Sequence, residues 1–154
     1  MLSFLELKIP PLLIVFFSAL AMYFSPNPII YFSIDSQWVY YITRVLFIVS
    51  ALVILLGIYC FRKANTTVDP INPDKASQLV NFGIYKYTRN PMYLGFAIML
   101  LAMAIKMQSL VAVLWLLVFV WYMTRFQIKP EERALTKIFG DAYIEYCQQV
   151  RRWL

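Results

Sequence analysis

The sequence contains no histidine, only two cysteines and few charges: 14% of its 154 residues are Asp, Glu, Lys or Arg, against about 25% in an ordinary soluble domain. Without histidine there is no His-ligated zinc or haem, no Ser–His or Cys–His nucleophile and no imidazole base. Cys60 and Cys147 cannot hold a metal cluster. The first ends an apolar run and the second lies in a polar tail, so both are read as reduced thiols. Apolar residues are abundant instead, at 62% of the chain, with 18% aromatic and a mean hydropathy of +0.66. This composition excludes both an ordinary soluble domain and intrinsic disorder. The net charge of +6 does not point to nucleic acid, because the basic residues fall singly or in pairs with no stripe and no recognition motif. Basic loops on one side of a membrane account for it.

Four apolar stretches predict an all-α, polytopic membrane protein with four transmembrane helices. They cover residues 9–24, 40–61, 92–105 and 109–122. Pro10 and Pro11 suit the start of the first helix, and Pro26 and Pro28 break the chain after it. That first stretch has no basic n-region and no small-x-small cleavage site, so it is read as a retained helix rather than a secretory signal. The third and fourth stretches, joined by Lys106-Met107-Gln108, predict a tight antiparallel hairpin. Crossing about 30 Å of hydrocarbon takes about 20 helical residues, so the first and third stretches must tilt or extend. One membrane-embedded domain results: residues 1–61 hold two spans, 62–91 a cytoplasmic segment, 92–126 the hairpin and 127–154 a cytoplasmic amphipathic helical tail.

Two polar segments carry the candidate chemistry. In the first, Gly83-Ile84-Tyr85-Lys86-Tyr87-Thr88-Arg89-Asn90-Pro91-Met92-Tyr93-Leu94-Gly95 surrounds the mouth of the third span, with Pro91 at its first turn. Gly95 leaves room for a neighbouring helix or a ligand to come close. The tyrosines and Arg89 fit either a binding site or an interfacial belt with a topology anchor. In the second segment, Pro130 followed by Glu131 and Glu132 predicts a new helix start with acids complementing the dipole. The spacing of Leu135, Ile138, Phe139, Ile144, Cys147 and Val150 predicts one or two amphipathic helices at the membrane surface, broken at Gly140-Asp141. Paired carboxylates where a span emerges also mark candidate sites.

The order Gly-Ile-Tyr-x-Tyr-x-Arg-Asn-Pro-Met-Tyr-x-Gly, apolar hairpin, Glu-Glu, then Phe-Gly-x-x-Tyr-x-x-Tyr resembles the integral-membrane isoprenylcysteine carboxyl methyltransferase and phospholipid methyltransferase family, over roughly residues 65–153. The resemblance implies S-adenosylmethionine as cofactor and a lipophilic or membrane-associated acceptor. It implies cofactor contacts at Ser77, Gln78, Leu79, Val80, Tyr85, Asn90, Pro91, Met92, Tyr93 and Glu131. No metal is implied, and the catalytic residue and oligomeric state stay open. The family's usual Arg-His-Pro histidine is Asn90 here, and a substrate-side arginine four residues before the first Glu is Gln127. The second departure argues against a prenylcysteine carboxylate as acceptor. Membrane sterol reductases, which use NADPH, look similar around Arg-x-Pro-x-Tyr but are not expected to carry the Glu-Glu pair. A non-enzymatic membrane scaffold is the third reading.

Methyl transfer suits a chain without histidine. Displacement at a sulfonium methyl needs no protonation of the leaving group, so the protein mainly aligns the reactants, an effect worth about 7–11 kcal/mol. Tyrosine faces attract a sulfonium cation, and a carboxylate binds ribose hydroxyls or an ammonium group. A protonated amine acceptor would additionally need a base, for which Glu132 or a tyrosine are the weak candidates.

Orientation follows from the cations. Arg62, Lys63, Lys75, Lys86, Arg89, Arg125, Lys129, Arg133, Lys137, Arg151 and Arg152 make eleven of the fourteen Lys and Arg residues, and four spans would put all of them on one side. Both termini are therefore expected in the cytoplasm of a cell-membrane protein. Reporter fusions at the C-terminus and in the 25–37 loop check this, and an externally accessible C-terminus would overturn it.

Overall fold

A computed structural model describes residues 5–25, 35–64 and 77–154, and the elements among them are helical. The breaker at Pro26 and Pro28, the Asn65–Pro70 stretch and Lys75 lie outside the described residues. Six helices follow in order: α1 (Pro11–Phe24), α2 (Ser36–Lys63), α3 (Pro91–Met107), α4 (Leu110–Tyr122), α5 (Lys129–Phe139) and α6 (Asp141–Gln149). A 3₁₀ turn at Gly83–Lys86 precedes α3, and a π turn at Met123–Ile128 links α4 to α5.

Two helices are long and apolar enough to cross a membrane: α2, with 28 residues, and the 30-residue run Leu110–Phe139. Helices α1 and α3 are apolar but shorter, at 14 and 17 residues. The first and third stretches are thus short, as the sequence implied. Most of α2 faces outward: Val45, Ile48, Leu52, Leu55, Leu56 and Tyr59 are exposed. An apolar helix with that much uncovered surface is suited to lipid rather than water.

The buried residues of α2 are Thr43, Ser50, Gly57 and Cys60, a narrow seam of small side chains. It lies on α3, where Ser50 Oγ donates to the Gly95 carbonyl at 2.8 Å. A Cβ on Gly95 would stand 2.4 Å from Ile54 Cγ1 and 3.1 Å from the Ser50 carbonyl oxygen. One on Gly57 would meet Met92 Cγ at 3.0 Å. Gly95 therefore makes room for a helix, not for a ligand. Small residues that let backbones approach are the main source of helix association where no water remains to be expelled.

The hairpin between α3 and α4 turns on Gln108, in the left-handed region with φ 49°, and Ser109 caps α4 by accepting from the Ala112 N–H at 3.4 Å. Helix α1 lies across this hairpin. Its Val15 and Met22 join Tyr93, Leu100, Ala104, Ala112, Phe119, Met123 and Ile128 in one core, and Trp115 Nε1 donates to Ser25 Oγ at 2.7 Å. Both cysteines are free thiols, as expected.

Pro130 stands in the first turn of α5 with Glu131 and Glu132 after it, as expected. The new helix is not separate, because it continues α4 through the π turn in one 30-residue run, Leu110–Phe139. Pro130 has no N–H for the Phe126 carbonyl four residues back. The Leu7 N–H takes that carbonyl at 3.0 Å instead. Beside it, Glu6 pairs with Arg125 at 2.8 Å and with Arg133. The hydrogen bond from Arg125, with the charge of Arg133, holds the Glu6 carboxyl below its usual range. A break does occur at Gly140, with φ 54°, before α6.

Replacing Gly95 by alanine tests the seam. Alanine raises helix propensity by about 1 kcal/mol, but overpacking against the Ser50 backbone and Ile54 should cost about 1–3 kcal/mol. A lower thermal midpoint in detergent is expected, partly recovered in Gly95→Ala/Ile54→Ala. An unchanged midpoint for the single variant would mean that the two helices are not so close.

Candidate functional site

Helix α3 starts at Pro91 and is 17 residues long, so its first turn lies beside the C-terminal half of the long α4–α5 helix rather than beside the hairpin turn. That juxtaposition builds the site. Tyr93, one turn into α3, is buried, and its hydroxyl donates to Glu131 Oε1 at 2.6 Å. Gln127, in the π turn, is 2% exposed, and its Nε2 donates to the same oxygen at 2.6 Å. Both donors converge on Oε1, and none among the described residues reaches Oε2. Among the described residues no lysine or arginine pairs with Glu131. It is a partly buried carboxylate held by two neutral groups, with one oxygen left to accept.

Glu132 is handled in the opposite way. Arg152 grips it with two hydrogen bonds, 2.9 Å from Nε to Oε1 and 2.7 Å from Nη2 to Oε2. Arg89 stands 3.2 Å from the same carboxylate and also contacts Cys147 Sγ. The helix dipole is thus not its main partner. Arg89 belongs to the interior, with its side chain 11% exposed.

The final residues close one wall of the site. Arg89 N–H donates to the Arg151 carbonyl at 3.1 Å, Asn90 Nδ2 to the Arg152 carbonyl at 2.9 Å, and Trp153 Nε1 to Thr124 Oγ1 at 3.0 Å. A second wall is aromatic. Tyr85 is buried on the 3₁₀ turn, edge-on to Phe61 at 5.4 Å between ring centres. Its carbonyl accepts from the Tyr146 hydroxyl at 2.7 Å. Burial pushes the Tyr85 hydroxyl far above its usual range, with Tyr146, Cys60 and Glu131 adding to the effect. Tyr85 therefore stays protonated and offers a neutral hydroxyl and its ring rather than a phenolate.

Of the ten residues expected to contact a cofactor, Tyr93 and Glu131 are joined by a hydrogen bond, and Tyr85 on the 3₁₀ turn is near enough to feel the charge of Glu131. Val80 packs beside Tyr85 with Cys60 and Ala64, and Leu79 packs under Tyr143 and Tyr146 of α6. Pro91 and Met92 lie against Gly57 of α2. Asn90 ties down the C-terminal strand, while Ser77 and Gln78 are exposed at the start of the segment. Tyr146 and Arg152 are the residues that sequence reasoning did not assign, and Gln127, placed by the resemblance on the substrate side, is bonded to Glu131. For Gln127 the signal was present: residues four apart on a helix share a face, so position 127 had to lie over 131.

The phospholipid methyltransferase family profile matches residues 38–142. An uncharacterized protein of Haemophilus influenzae is 41% identical over 63 residues, covering 41% of this chain and all of that protein. Two proteins named protein-S-isoprenylcysteine O-methyltransferase are also similar. The one from Schizosaccharomyces pombe is 35% identical over 77 residues, half of this chain and 33% of the relative. Form A from Arabidopsis thaliana is 30% identical over 113 residues, 73% of this chain and 57% of the relative. The matches thus cover between a third and three fifths of these methyltransferases' own length. No solved structure matches the chain. With more than half of its length inside the family profile, including Tyr93, Gln127 and Glu131, the chain belongs to the phospholipid methyltransferase family.

Proposed function

We propose that the chain transfers a methyl group from S-adenosylmethionine to a lipophilic, membrane-associated acceptor at the cytoplasmic face of a four-span protein. The observation that carries this reading is Glu131: a carboxylate without a cation, its second oxygen open, beside Tyr85 and Tyr93. That donor set fits the cofactor, which offers an ammonium, ribose hydroxyls and a sulfonium. Glu131 Oε2 would accept from the hydroxyls or the ammonium, and the tyrosine rings would face the cation, a contact worth about 0.5–2 kcal/mol. Ser77, Gln78, Leu79, Val80, Asn90, Pro91 and Met92 would complete the cofactor's surroundings. When bound, the cofactor supplies an activated methyl group. The chain's own residues orient the two partners and keep water out.

Glu131→Gln should weaken binding of S-adenosylhomocysteine by about 10- to 150-fold, the range for one charge-assisted hydrogen bond. Calorimetric titration of the purified protein in detergent reads this directly. Binding within twofold of wild type would reduce Glu131 to a structural residue. Titration with NADPH on the same protein should give no heat, and saturable NADPH binding without S-adenosylhomocysteine binding would favour a reductase.

For the acceptor, we infer a neutral or cationic head group such as an aminolipid, which would lose its proton to water and attack as the free amine, forming the N–C bond as the S–C bond breaks and S-adenosylhomocysteine leaves. Gln127 is committed to Glu131. Of the two neighbouring cations, Arg125 is turned away to Glu6 and Lys129 is exposed. An anionic acceptor would therefore meet a carboxylate with no guanidinium to offset it. In a radiolabelled methyl-transfer assay, phosphatidylethanolamine should be methylated and a farnesylated cysteine analogue weakly or not at all. Robust turnover of the farnesyl analogue, undiminished in Arg125→Ala and Lys129→Ala, would defeat this reading.

A further inference from the structure

The opposite face of α5 carries a second feature that the methyl-transfer site does not use. Lys129, Arg133, Thr136 and Lys137 follow one another at helical spacing, and with Glu132 and Arg152 they line an open groove of about 520 Å³. At 100° per residue, Glu131 points away from the middle of this row. Two of the cations are already paired, Arg133 with Glu6 and Arg152 with Glu132. The lining thus holds four cations and one carboxylate, and among the described residues Lys129 and Lys137 have no ion pair.

Its depth follows from the helix that carries it. The apolar part begins at Leu110, and about 30 Å of hydrocarbon at 1.5 Å per residue is consumed by about residue 129. Leu114, Leu117, Val118 and Trp121 are exposed below that level. Lys129 thus stands where hydrocarbon ends, and Arg133 and Lys137 stand about 6 and 12 Å beyond it. That is the layer in which lipid phosphates lie. A soluble anion would find the same charges, but only a lipid has its phosphate delivered at this height.

We propose that this groove binds the phosphate of an anionic phospholipid, at a site separate from the methyl-transfer site. The proposal rests on the membrane orientation given above but not on the chemistry at Glu131. Lys129 and Lys137 supply the charge, and Arg133 and Arg152 provide guanidinium donors at the rim.

The test uses purified full-length protein in detergent, titrated with phosphatidylglycerol, phosphatidylcholine and inorganic phosphate, with retained lipid read by native mass spectrometry. Phosphatidylglycerol should bind in preference to phosphatidylcholine. Lys129→Gln/Lys137→Gln should weaken it by about 25-fold, about fivefold per lysine, and Lys129→Arg/Lys137→Arg should restore it. Lys106→Gln, at the hairpin turn, should change nothing. An unchanged thermal midpoint without lipid, and unchanged S-adenosylhomocysteine binding, show that the double variant is folded and separate this result from any failure of the methyl-transfer reading. Equal retention of the two lipids, or of phosphatidylglycerol by wild type and the Gln variant, would overturn the proposal. So would displacement of the lipid by equimolar inorganic phosphate, which would make the groove a soluble-anion site.

Discussion

Glu131 and Glu132 are two adjacent, partly buried carboxylates on one helix, and the interior of this protein is arranged around how each is satisfied. Residues next to each other on a helix point about 100° apart, so Glu131 and Glu132 meet different neighbours. Glu132 turns towards the C-terminal strand and is neutralised by Arg89 and Arg152. That pairing brings the chain end against residues 88–90, where the Arg151 carbonyl accepts from the Arg89 N–H and the Arg152 carbonyl from the side chains of Thr88 and Asn90. Glu131 turns towards α3 and receives only a phenol and an amide. Removing either arginine would leave a charge on Glu132 with too few partners. Adding one beside Glu131 would satisfy the oxygen that is now open.

The scaffold that holds this pair is assembled by close approach rather than by large apolar surfaces. Lipid chains are as apolar as leucine, so burying leucine against leucine gains little inside a bilayer, and van der Waals fit between backbones decides. Ser50, Gly57 and Gly95 give α2 and α3 that fit, and the Ser50 to Gly95 hydrogen bond adds direction to it. The consequence for the site is positional. Gly57 lies against Pro91 and Met92, so the same contact that joins the helices fixes the first turn of α3, and with it Tyr93.

The parts of this arrangement that were legible in the sequence are those governed by neighbours in the chain. The hairpin after the third stretch and the break at Gly140 follow from local spacing, and both are found, with the hairpin turning at Gln108. The role of Gly95 was legible only as two alternatives, because nothing local says whether a helix or a ligand fills the gap. The difference between Glu131 and Glu132 was not legible, since their partners come from positions 89, 93 and 152. That α5 continues α4 through Pro130 was not legible for a related reason. A proline inside a helix strands a carbonyl, and a helix end is the usual remedy. Here the donor comes from Leu7, more than a hundred residues away in sequence.

That remedy also explains why the long helix carries a π turn where it does. A π turn widens the helix locally and is stable only when the misfitted groups find other partners. The Leu7 N–H supplies one partner at Phe126, and Glu6 holds the same turn from outside through Arg125 and Arg133. Inside the turn, Phe126, Gln127 and Ile128 are all buried, three consecutive residues that an ordinary surface helix could not face inward together. The widening lets Gln127 and Ile128 both turn inward, one to Glu131 and the other into the hydrophobic core. The N-terminal segment, remote from the site in sequence, is therefore part of what sets its geometry: without the Leu7 donor, Phe126 would carry an unpaired buried carbonyl, and the turn that orients Gln127 would lose its reason to persist.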